Sequence, residues 1–207
     1  MTGLGREPWP AADPQEDLAG FRRTSRGPRA RFAASQAAIV RSLVSQVAEL
    51  VSGEPAAGGS VAGGSAAGTA SPDPLEAELG LSDNSEVPAD PILARLLPDA
   101  YSDDPAAAGE FRRYTEVSLR SGKVAAAQTV LDTLPERGGK VSLSADDAQA
   151  WLRALNDVRL SLGVVLGVTD DFDDEVADLA ADDSRAAYVG VYQWLAFLQE
   201  SLIEALR

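Results

Sequence analysis

SADDAQAWLRALNDVRLSLGVVLG, residues 144–167, carries a helix start, an apolar stripe and a helix stop in one run. Ser144 followed three residues later by Asp147 makes a capping-box start, with aspartate in the usual Glu/Gln place. Gly167 suits a helix C-terminus. At about 100° per residue, Trp151, Leu155, Val158, Leu162, Val165 and Leu166 share one broad face. The spacing predicts a helix over 145–166, and an apolar stripe that wide needs other helices to cover it. Two polar residues interrupt it. Arg159 falls inside the stripe, between the directions of Leu155 and Leu152, and Asn156 lies at its edge. Asp157 and Arg153 point away and are read as solvated.

Covering helices are present on both sides in sequence. Residues 34–51 place Ala37, Val40, Val44, Val47 and Val51 at three- and four-residue steps. Residues 90–101 begin a helix at Pro91 and end it before Pro98. Residues 103–134 carry a long helical pattern in which Gly122 is a candidate kink, and 73–81 read as a short helix closed by Gly80. Residues 185–207 form a strong amphipathic helix with Tyr188, Tyr192, Leu195, Leu198, Leu202 and Leu206 on one face and Gln199 within it. Before the first helix, FRRTSRGPRARF (21–32) reads as a hairpin with its turn at Gly27-Pro28. KVSLS (140–144) alternates as a short strand. The expected fold is mainly α, a helical bundle with a small antiparallel β-sheet from the hairpin arms and a strand near 140–143.

Residues 1–20 read as a disordered tail. Residues 21–207 read as a single domain interrupted by a flexible Gly/Ala/Ser tract at 52–74, which lacks the lysine and preceding strand of a phosphate loop. Residues 168–184 hold eight acids. Val176 and Asp182 stand where a calcium loop needs Gly and Glu, so this is read as a solvated acidic loop.

The chain has 207 residues, no cysteine and no histidine, and a formal net charge of −14. Thiolate nucleophiles, disulfides, Cys/His zinc sites and histidine-based triads are thereby excluded. No catalytic residue, metal site or cofactor-binding motif is read. The acidity disfavours DNA unless a basic patch is segregated, and favours protein partners. No secretory signal or membrane-spanning run is read, so the cytoplasm is the expected compartment.

Two groups of residues remain as candidate sites. A guanidinium on a packing face needs an acceptor, because an unpaired buried charge costs several kcal/mol. Arg159, Asn156, Gln199 and an acid are therefore expected to form an internal polar network. Glu116 is the first candidate acid, with Asp99 and Glu110 behind it. The alternative is a small pocket where Arg159 receives a ligand's carboxylate. The second group is a partner surface: Arg22, Arg23, Arg26 and Arg29 on the hairpin, and Trp194 and Phe197 on the outer side of the last helix. Arg112, Arg113, Arg120 and Lys123 read as an ion-pair-laced face.

LARLLPDAYSDDPAAAGEFRRYTEVSLR (93–120), AWLRALNDVRLSLGVVLGV (150–168) and YQWLAFLQESLIEAL (192–206) resemble the actinobacterial family first catalogued as a domain of unknown function and now also named for the AosR oxidative-stress regulator. The resemblance covers about residues 20–52 and 73–206. It implies a regulator of transcription in oxidative-stress responses that contacts the transcription machinery, and it brings no catalytic residues. Thiol sensing, part of that picture for cysteine-bearing members, cannot operate in a chain without cysteine. The leading expectation is a non-enzymatic regulator acting by protein contact, with RNA polymerase or a sigma factor as partner. The alternatives are direct DNA binding through the Arg-rich arm, which calls for a wing-and-helix geometry, and carboxylate binding at Arg159. A homo-oligomer is compatible with either.

Overall fold

The computed structural model describes residues 20–53, 86–101, 103–172, 176, 183 and 185–207. The tail, the Gly/Ala/Ser tract beyond Gly53, the short helix read at 73–81 and most of the acidic loop lie outside the described residues. Five helices and three strands occur among those described: β1 (Arg22–Thr24), β2 (Gly27–Phe32), α1 (Ala34–Ser52), α2 (Pro91–Leu96), α3 (Pro105–Thr133), β3 (Gly139–Ser142), α4 (Ala145–Leu166) and α5 (Ala186–Leu206). The mainly α architecture with one small antiparallel sheet is as the sequence predicts.

Helix α4 is the centre of the bundle, packed against α1, α2, α3 and α5. Its first turn is closed as the capping box requires. The Ser144 hydroxyl accepts from the Asp147 amide at 3.1 Å, and the Asp147 carboxylate accepts from the Ser144 amide at 3.1 Å. Gly167 ends it in the left-handed region at φ 67°, where a residue without Cβ is unstrained. Asp90 and Asp104 cap α2 and α3 through their carboxylates, each with proline in the first turn. Gly122 lies within the continuous span of α3. Arg41 of α1 donates to the carbonyls of Leu131 and Leu134 at 2.6 and 2.7 Å, supplying a cation to carbonyls at the end of α3 that lack a helical donor.

The sheet has strand order β1-β2-β3, antiparallel throughout. Its inner face buries Ala30, Phe32 and Val141 against the bundle. Trp151 of α4 is fully buried where sheet and helices meet. Phe21 and Phe32 pack on its ring at centroid distances of 5.4 and 5.8 Å. Its indole N–H donates to the Thr133 hydroxyl at 2.8 Å, so the largest core side chain leaves no polar atom unpaired. The Phe21 amide donates to the Ser201 hydroxyl at 2.9 Å, tying the chain's entry to α5.

The hairpin turn differs from the sequence expectation. It falls at Ser25-Arg26, and Gly27-Pro28 already belongs to β2. Thr24 closes the turn: its hydroxyl donates to the Gly27 carbonyl at 2.7 Å and accepts from the Arg26 amide at 3.2 Å. Gly27 is required for contact rather than for the turn itself. At φ 103°, a Cβ there would stand 2.4 Å from the Leu143 carbonyl oxygen.

Candidate functional site

The candidate chemistry of this chain is carried by its cations, and the fold sorts them into three settings. The first is sealed. Arg112 of α3 is 5% exposed and donates to Asp99 at 2.6 Å, to Glu116 at 3.2 Å and to the Leu97 carbonyl at 3.3 Å. Arg120, one turn beyond Glu116, donates to it at 2.8 Å and to the Val51 carbonyl at 2.6 Å. Burial pulls the Arg112 pKa down, but the hydrogen bonds and charges of Asp99 and Glu116 outweigh it and hold the guanidinium above its usual value. Two arginines and their acids thus bolt α3 to the ends of α1 and α2. The ion-pair-laced face read from the sequence is present here, and Glu116 and Asp99 belong to it rather than to Arg159.

The second sealed pair corrects the sequence reading. Asp157 is not solvated: it is 4% exposed and takes a hydrogen bond from Lys123 of α3 at 2.6 Å. The expectation failed because α4 has neighbours on several sides, so the side away from its apolar stripe is covered by α3. Desolvation pushes the Asp157 carboxyl above the ordinary range, with the Lys123 hydrogen bond and charge acting against it. Arg153 and Asn156 are exposed. The expected stripe on α5 also shifts. Val189, Leu195, Leu198 and Leu202 are buried, whereas Tyr188 is 58% exposed.

Arg159 occupies the second setting. Its Nη1 donates to Gln199 of α5 at 2.7 Å, the partner the helix faces predict. Its guanidinium lies over the Tyr192 ring, 5.4 Å from the centroid, and that ring packs edge-on to Phe172 at 5.8 Å. No carboxylate reaches it among the described residues. Nε is buried without an acceptor. Arg159, Arg95 of α2, Asn156 and Tyr192 border a concavity of about 410 Å³ that no acidic side chain lines among the described residues.

The third setting is the outer face of the sheet. Arg22 stands opposite Arg29, and Arg31 opposite Lys140. All four are exposed. Arg26 extends from the turn and Arg23 from the outer strand, both exposed. Residues 21–32 and 139–144 hold six of the chain's 18 basic side chains and none of its 32 acids. Among the described residues, Arg23, Arg26, Arg29, Arg31 and Lys140 form no ion pair. Like charges directly opposite across antiparallel strands are unfavourable, so this arrangement does not serve the fold. Lys140, which completes the face, was missed in the sequence; its place one residue into an alternating strand is the signal that shows it.

Phe197 is 44% exposed, and the space beside Gly20 is bounded by its ring. The chain entering the hairpin therefore lies against it. Trp194 is half-buried, with an indole N–H that finds no acceptor. A further exposed group, Tyr101, Phe111 and Tyr114, was not read from the sequence. It lies off the buried line of Ala108, Arg112 and Glu116 on α3.

No described helix is long and apolar enough to cross a membrane. Among the described residues no cluster of three acids could hold a metal ion.

The chain has wide similarity to known sequences. The model of a domain of unknown function, DUF2017, matches residues 18–206. The oxidative stress regulator AosR of Mycobacterium tuberculosis H37Rv is 34% identical over 199 residues, covering 88% of this chain and 84% of that protein. The putative oxidative stress regulator AosR of Mycobacterium leprae is 35% identical over 200 residues, covering 88% and 85%. No solved structure matches. The chain belongs to the DUF2017, AosR-like family.

Proposed function

We propose that this protein is a non-enzymatic cytoplasmic regulator in an oxidative-stress response, and that it acts by docking its Arg-rich sheet face on an acidic surface of the transcription machinery. RNA polymerase or a sigma factor is the partner to test first. The observation that carries the reading is the acid-free basic sheet face on a chain of net charge −14. Segregated charge of this kind steers association and selects an oppositely charged partner. The relatives' name as oxidative stress regulators supports the regulatory role. The absence of cysteine and histidine supports a binding role over catalysis and removes thiol sensing from this member.

Duplex DNA is the second reading, favoured by the same arginines. The outer face presents guanidinium and ammonium groups suited to phosphates but no aromatic ring, since Phe21 and Phe32 are buried inward. The rest of the surface is strongly acidic and repels a nucleic acid beyond the footprint of the sheet. A protein partner fits this distribution better.

Tagged protein, retrieved from its host after nuclease treatment, separates the two. The expected result is co-purification of polymerase or a sigma factor, lost in an Arg29→Ser/Arg31→Ser variant and reconstituted with the purified partner. Co-purification untouched by the double substitution would remove the sheet face from the proposal. A salt-dependent shift of duplex DNA by the purified protein, lost in the same variant, would install the second reading.

A further inference from the structure

Arg112 and Arg120 show what this fold supplies when it buries an arginine for its own stability: carboxylates and carbonyls at 2.6–3.3 Å. Arg159 receives one neutral amide oxygen. Among the described residues its Nη1 makes that one bond and Nη2 makes none; Nε is buried and unpaired, as is the Nε of Arg112. Nη2 is therefore the donor left for an anion from outside the chain, and a guanidinium N–H to a carboxylate or phosphate makes a strong, charge-assisted hydrogen bond. A guanidinium is seldom set on a packing face without a carboxylate unless there is a reason.

The surroundings supply the reason. The concavity of about 410 Å³ at Arg159 is bordered by a second arginine, Arg95, which also has no ion pair among the described residues. Asn156 adds a neutral amide at the rim. Leu160, Val164 and Tyr192 provide apolar wall. Gln199 and the Tyr192 ring hold the Arg159 guanidinium in one orientation, so binding would spend little on ordering it. Asp157, the acid nearest in sequence, is engaged by Lys123 of α3.

We infer that the concavity between α2, α4 and α5 is a binding site for a small organic dianion, a dicarboxylate or a phosphomonoester, with Arg159 taking one anionic group through its Nη2 and Arg95 the other. The ligand bridges three helices and favours one arrangement of them. This site is formed by elements other than the sheet and stands whether or not the sheet face docks on a partner. Where both hold, it gives a cysteine-free regulator a chemical input that needs no thiol.

The test is thermal unfolding of the purified full chain in sodium succinate, sodium phosphate or sodium chloride at matched ionic strength, with neutral succinamide as the uncharged control. Succinate or phosphate is expected to raise the midpoint saturably, and succinamide is expected to leave it unchanged. Succinate exceeding phosphate assigns the site to dicarboxylates, and the reverse assigns it to phosphoryl groups. Arg95→Gln, at an exposed position that leaves the core intact, is expected to weaken the apparent affinity roughly tenfold, the loss of one charge-assisted hydrogen bond. Arg159→Lys keeps the charge but not the planar guanidinium held by Tyr192 and Gln199, and is expected to weaken it at least as much. Should that variant fold poorly, Arg95→Gln decides alone. Equal midpoints in all three salts would overturn the inference. So would a shift by succinate or phosphate that survives Arg95→Gln undiminished, since the anion would then be bound elsewhere.

Discussion

Arg112 and Arg159 both lie on packing faces of long helices, and the fold treats them in opposite ways. Arg112 is enclosed with two carboxylates and a carbonyl. Arg159 is given an amide oxygen and an aromatic ring and no carboxylate among the described residues, while the Nε of both arginines is buried unpaired. The difference in partners separates cations that serve stability from cations that remain for something else. By the same criterion Arg29 and Arg31 of the sheet face group with Arg159, since each stands opposite another cation and forms no ion pair among the described residues.

The comparison breaks most visibly at Glu116. Glu116→Ala strips Arg112 and Arg120 of their shared acid and leaves their charges buried or half-buried. Removing one partner of a buried ion pair costs about 3–5 kcal/mol, and chemical denaturation should show a loss of that order. A loss below about 1 kcal/mol, the range of surface pairs, would show that the network is not the bolt it resembles. Lys123→Ala comes next. It leaves the Asp157 carboxylate buried without its partner, which costs about 1–3 kcal/mol at neutral pH. The pH dependence has a definite sign. Asp157 has its folded pKa raised above the unfolded value by desolvation. The folded state therefore holds the proton more tightly, and this residue's contribution to stability grows as pH falls through the folded value and is lost as pH rises through it. The gap between Lys123→Ala and the parent protein should narrow in mild acid, measured by urea unfolding at pH 7 and pH 5. A gap that widened would contradict the buried carboxylate.

The legible parts of this architecture were those with a local cause. The capping box at Ser144, the stop at Gly167 and the alternation around Val141 each act within a few residues, and the helix and strand spans follow from them. The pairing of Arg159 with Gln199 was legible because two apolar stripes that pack must bring their interruptions together. The burial of Asp157 was not, because a single helix shows the direction of its widest stripe and not how many neighbours surround it. Glu116 was assigned to the wrong arginine for a related reason. Its own helix offers Arg112 and Arg120 one turn away on either side, and those contacts are satisfied before any across the bundle. The turn at Ser25-Arg26 was hidden by Gly27-Pro28, a strong turn signal whose glycine here answers to the approach of the Leu143 carbonyl. The concavity at Arg95 depends on α2 meeting α4, a contact across more than fifty residues of sequence that no periodicity encodes.

The remaining two predictions sharpen the comparison through small effects. Arg159→Met replaces a charge that has no acid partner by an apolar chain of similar length, so it removes an unmet donor along with one hydrogen bond to Gln199. The net change in stability should lie within about 1 kcal/mol, far below that of Glu116→Ala, because volume-conserving replacement of a poorly compensated buried charge is often neutral or favourable. A loss of 3 kcal/mol or more would place Arg159 with Arg112 after all.

The smallest effect belongs to the sheet. Arg29→Ser/Arg31→Ser removes two exposed cations from the middle strand, where each faces another cation across the ladder. Exposed substitutions ordinarily change stability by no more than about 0.5 kcal/mol, and relief of like-charge pairs, worth roughly 0.2–1 kcal/mol each, pushes the sign towards a gain. Unfolding curves at low and high salt test this directly. The variant should match or exceed the parent at low salt, and the difference should shrink as salt screens the repulsion. A salt-sensitive loss of stability would mean that these arginines hold acids of their own chain, and the sheet face would then join Arg112 as part of the scaffold.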